Sequence, residues 1–86
     1  MAQVSITQLF AQAAQEVNGK KLANLTKDTV ISKLGLDSVA VMELVSFFEE
    51  KLNIRMPDDD LAKVQTLGDL GALVQRLSPP GTEVSF

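Results

Sequence analysis

Apolar positions along the chain fall into three helical stripes separated by stretches without a period. Ile6, Leu9, Phe10, Ala13 and Val17 recur at three- and four-residue spacing, which puts them on one face of a helix. Ser5 and Gln8 stand at capping-box distance, with Val4 and Leu9 in staple positions around them. Asn18-Gly19 is a standard stop, so a first helix is expected over about 5–18. Over 19–37 the pattern breaks, and Leu22, Leu25, Val30, Ile31, Leu34 and Leu36 are scattered among polar residues. A connection of this length is uncommon in a compact domain. Its apolar content argues that it packs onto the helices, with a short helical turn near 28–33.

The second helix, expected over about 38–52, has the clearest period. Val41, Leu44, Val45, Phe48 and Leu52 share one broad face, which must be core. The other side carries Val39, Glu43, Ser46 and Glu50, flanked by Met42, Phe47 and Glu49. Val39, Met42 and Phe47 are thus a surplus apolar trio among carboxylates. Single exposed apolar residues are ordinary, but a mixed apolar and acidic face also suits transient docking. Pro57 ends the run, and 58–64 reads as a short third helix with Asp58, Asp59 and Asp60 at its positive end. These aspartates lack the spacing, glycine and closing glutamate of a calcium loop, and no metal site is expected. Leu67, Leu70, Leu73, Val74 and Leu77 mark a last helix over about 66–77, opened by a Thr66/Asp69 box. Gly68 and Gly71 weaken that helix and mark close approach of a neighbour. Pro79-Pro80-Gly81 ends it, leaving a frayed tail.

Composition narrows the function. The chain has 86 residues, 45% of them apolar, with four Phe but no Trp, Tyr, Cys or His. Without cysteine or histidine there is no thiolate, no Ser-His pair and no common zinc site, which removes most enzyme classes. No segment has the roughly 18 apolar residues of a membrane span, and the N-terminus lacks a signal-peptide plan, so a cytoplasmic protein is expected. The net charge is −3, unevenly spread. Residues 37–60 carry seven acids against Lys51 and Arg55, whereas 1–36 carry four lysines against Glu16 and Asp28. An acidic middle argues against nucleic acid and for partners presenting Lys and Arg, unless it is simply a solvated face.

The unusual stretch is Leu34-Gly35-Leu36-Asp37-Ser38, which sets a hydroxyl at a helix mouth behind a glycine. Three roles compete for Ser38. Either Asp37 or Ser38 serves as the cap, and a cap alone explains both residue types. A nucleophile would need a base, and no histidine exists to supply one. A modification site fits the helix terminus, where amides and dipole favour an anionic ester.

Gly35-Leu36-Asp37-Ser38, the amphipathic helix with its acids, Ile54-x-x-Pro57-Asp58 and Thr66-Leu67-Gly68-Asp69-Leu70 together resemble an acyl carrier protein. The likeness spans about 25–77, and the first helix fits the same plan. It implies an all-α, antiparallel four-helix bundle over 1–78, with 79–86 as a flexible tail. It implies that Ser38 carries a 4′-phosphopantetheine arm, transferred from coenzyme A by a phosphopantetheinyl transferase with magnesium, and that Asp37 assists. The protein would then be a carrier and not an enzyme, holding acyl intermediates as thioesters. Val39, Met42, Glu43, Ser46, Glu49 and Glu50 would face ketosynthase, acyltransferase and other synthase partners.

Ala40, Val41, Ser46 and Phe47 depart from fatty-acid carriers, and Leu36 departs from peptidyl carriers. A polyketide or secondary-metabolite carrier is therefore expected, monomeric and free-standing. The alternative is an unmodified helical module docking a basic protein through the same face.

Overall fold

The computed structural model describes residues 3–86, so the first two residues of the expected domain lie outside the described residues. In chain order the elements are β1 (Gln3–Ser5), α1 (Ile6–Asn18), α2 (Ser38–Leu52), α3 (Asp58–Leu61), α4 (Leu67–Leu77) and β2 (Glu83–Ser85). A 3-10 turn over Ile31–Leu34 interrupts the long connection between α1 and α2. The four helices of the bundle implied by the resemblance are present, and three of them match their expected bounds within a residue. α3 is shorter than expected, because 62–64 continue only as turns.

The core joins Ile6, Phe10, Ala13 and Ala14 of α1 to Leu44 and Phe48 of α2 and to Leu67, Leu70, Leu73 and Val74 of α4. Phe10 and Phe48 meet tilted, their ring centroids 6.3 Å apart. Full burial of a side chain such as Phe48 contributes about 1.5–3 kcal/mol, so this contact anchors α2 to α1. On α2 the buried stripe is Ala40, Leu44 and Phe48, with Val45 and Leu52 on its flank.

The long connection is bound to the start of α4. The amides of Leu67 and Gly68 donate to the Thr29 and Lys27 carbonyls at 3.0 and 2.7 Å, and Ile31 N–H donates to the Gln65 carbonyl at 2.9 Å. The Thr66/Asp69 box forms as expected and holds the next amides. Gly68 is required here, since a Cβ would come within 2.9 Å of the Lys27 carbonyl oxygen.

Two expectations about the ends are corrected. Ser5 stands at the N-cap position of α1, but its side chain makes no cap hydrogen bond. The C-terminal residues, expected as a frayed tail, return to the bundle. β2 pairs in parallel with β1, in the register Gln3 with Glu83, Val4 with Val84 and Ser5 with Ser85. The Phe86 ring fills the space beside Gly71 and Ile6, and Thr7 Oγ1 donates to the Phe86 carbonyl. Gly71 therefore marks the approach of this segment as well as of α1. No helix among the described residues is long and apolar enough to cross a membrane.

Candidate functional site

The approach to α2 is built by a glycine turn and a single cap. Gly35 closes the 3-10 turn in the left-handed conformation, φ 76° and ψ 22°, which side-chain-bearing residues rarely adopt. Leu34 and Leu36 pack against the core on either side of it. The Lys20 ammonium leans on the same glycine, 2.9 Å from where a Cβ would stand.

Asp37 then takes extended backbone, and its Oδ1 accepts the Ala40 amide at 2.8 Å. That bond settles which residue caps the helix. Ser38 is the first helical residue, exposed, and its hydroxyl makes no hydrogen bond among the described residues.

Beyond Ser38, α2 presents the expected mixed face. Val39 and Met42 are 64% and 70% exposed. Glu43, Ser46 and Glu50 are exposed beside them. Two residues depart from the expected set. Phe47 packs partly against the core, and the Lys51 ammonium sits 5.6 Å over its ring. Glu49 is half-buried, and its Oε2 accepts the Met56 amide at 2.8 Å. The reason lies after the helix: Asn53 turns left-handed, φ 53°, and brings residue 56 back beside the last turn of α2.

Met42 and Ser46 of this face also line a solvent-open cavity of about 780 Å³ between α2, the reversal over 53–57 and α3. Val41, Val45, Phe48, Met56, Leu61 and Val64 line it, with Glu49 among the few polar groups. Sequence reasoning missed the cavity. Its signal was the surplus of apolar residues over 54–64 that no helical period accounts for.

Comparison with known proteins bears on this arrangement. A family model described as a phosphopantetheine attachment site matches residues 8–74. The acyl carrier protein of Rhodococcus erythropolis is 33% identical over 75 residues, covering 86% of this chain and 82% of its own. The meromycolate extension acyl carrier protein of Mycobacterium tuberculosis is 30% identical over 77 residues, covering 88% of this chain and 67% of its own. The crystal structure of an acyl carrier protein from Thermotoga maritima superposes with a TM-score of 0.76 at 30% identity, covering 84% of this chain and 85% of that one.

The matched residues run from the first turn of α1 into α4, with the glycine turn and Ser38 between them. They place the chain in the acyl carrier protein family, as a carrier rather than an enzyme and with 4′-phosphopantetheine as its covalent cofactor.

Proposed function

We propose that Ser38 bears the 4′-phosphopantetheine arm and that the exposed face of α2 addresses the carrier to its partners. The observation that carries this is the division of labour at the start of α2. Asp37 makes the cap, so the Ser38 hydroxyl is left exposed and unbonded at the mouth of a 15-residue helix. The residues fit the group. An anionic ester at that position meets the positive end of the helix, and Gly35 removes bulk from the approach. Asp37 Oδ1 is committed to Ala40, which leaves Oδ2 for a magnesium ion or for the phosphopantetheinyl transferase.

When bound, the group supplies a terminal thiol that holds acyl intermediates as thioesters on a swinging tether, at high effective concentration for each partner. The chain's own residues then select partners and shelter cargo. Val39, Met42, Glu43, Ser46 and Glu50 form an apolar and acidic patch for ketosynthase, acyltransferase and transferase surfaces rich in Lys and Arg. Hand-off requires weak contacts, so these interfaces are small and salt-sensitive. The apolar cavity bordering the patch offers the cargo a place partly out of water.

A polyketide-type synthase is the system we favour, because the patch pairs exposed Val39 and Met42 with the polar Ser46. Ala40 is buried, so its lack of charge belongs to the core and not to docking. A second reading, fatty-acyl chain extension, is favoured by relatives named for meromycolate extension. The mass of cargo on carrier from native cells separates them: oxygenated, partly reduced chains support the first, and fully reduced long chains overturn it.

Attachment is tested by intact mass after incubation with coenzyme A and a broad-specificity transferase. The unaltered chain should gain one arm and Ser38→Ala none. No gain in the unaltered chain, or a gain that persists in Ser38→Ala, would overturn the assignment.

A further inference from the structure

Glu49 stands on the helix that faces partners, yet its carbonyl and one carboxylate oxygen are engaged within the molecule. Its carbonyl receives the amides of Asn53 and Ile54, the latter at 3.2 Å, and its Oε2 receives the amide of Met56 at 2.8 Å. One residue thus binds three of the five positions, 53–57, that reverse the chain from α2 towards α3. Met56, at the far end of that reversal, is 4% exposed and lines the cavity. Pro57 follows and opens α3 without a side-chain cap.

The rest of the cavity's outer wall is held by half-buried Ile54, Leu61 and Val64. α3 is a single turn with no buried residue. Its ion-pair tether is Asp60 to Arg76, 3.0 Å apart, with the arginine side chain 63% exposed. Such solvent-facing pairs contribute little. A carboxylate accepting from a backbone amide in a half-buried site is the stronger restraint.

We infer that Glu49 is the latch of the cavity's outer wall, acting as a hydrogen-bond acceptor within the carrier and not as a docking charge. Release of its side chain frees residues 54–61 from α2 and takes away the cavity's outer wall. The functional half of this inference rests on the reading that the cavity shelters cargo carried on the arm. The two roles of Glu49 respond differently to one substitution. Glutamine keeps an acceptor oxygen but loses the charge, so Glu49→Gln preserves a latch and damages a docking residue.

The test is amide hydrogen exchange on the full chain without arm. Glu49→Ala should speed exchange at Met56 by about tenfold or more, while Glu49→Gln stays within about threefold of the unaltered protein. The amides of Leu44 and Phe48 report global unfolding and should keep their protection. Glu49→Ala exchange at Met56 within about twofold of normal, Gln as fast as Ala, or equal acceleration at Leu44 and Phe48 would each overturn the latch.

The second arm compares octanoyl- and acetyl-loaded carrier under neutral hydroxylamine. The octanoyl form should be cleaved more slowly in the unaltered protein, and Glu49→Ala should erase that difference while Glu49→Gln retains it. Equal cleavage of the two unaltered forms would overturn the sheltering role, and the latch's function with it, whatever the Met56 amide shows.

Discussion

At the start of α2 the Asp37 carboxylate holds the Ala40 amide, while the Ser38 hydroxyl beside it bonds nothing among the described residues. Stability and loading should therefore separate between adjacent residues. Asp37→Ala removes a cap and should cost about 0.5–2 kcal/mol in urea denaturation. Ser38→Ala should stay within about 0.5 kcal/mol while losing all loading. The sequence alone left this open, because Asp and Ser are both good caps and only the position of the Ala40 amide decides between them.

Asp69 offers a residue-scale prediction in pH. Its carboxylate accepts the amides of Gln65 and Thr66 at 3.0 and 3.1 Å, which holds its pKa below the ordinary aspartate value. A carboxyl with a depressed folded pKa stabilises fully above its unfolded value and loses that contribution as pH falls through the folded one. The gap in urea midpoint between the unaltered protein and Asp69→Asn should be flat near neutrality and shrink only in the acid range below ordinary aspartate.

Elements were legible where a period was long enough to read. α1, α2 and α4 each show a helical stripe of five apolar positions, and the Thr66/Asp69 box marked the start of α4. Ser5 carried the same local signature and takes the cap position of α1, yet its side chain makes no bond to the helix. Periodicity likewise placed Glu49 on the partner face. Only the left-handed turn at Asn53 brings Met56 close enough to draw that carboxylate in.

The docking prediction therefore belongs to Glu43 and Glu50, which remain exposed on α2. Glu43→Lys or Glu50→Lys should lower the transferase's kcat/KM by roughly three- to tenfold at low salt, with the loss shrinking as salt screens exposed charges. Equal losses at low and high salt would mean that the face does not act through charge.

For the molecule as a whole, helix number and much of the core followed from the sequence, while the burial of Ala40 and Met56, the cavity and the pairing of the ends did not. Cavity residues such as Met56, Leu61 and Val64 come from segments too short for a period. β1 and β2 are three residues each and meet across nearly the full chain, Val4 against Val84.

That meeting has a kinetic consequence. Closing so long a loop carries the largest entropy loss of any contact in the fold, for a ladder too short to offset it until the helices have docked. The strands should thus zip after the rate-limiting step. Phe86→Ala, which strips the ring from beside Gly71, should cost about 1 kcal/mol and appear as roughly fivefold faster unfolding, with the refolding limb of the chevron unmoved. The two ends would then act as a brake on opening, setting how long each molecule stays folded without setting how fast it gets there.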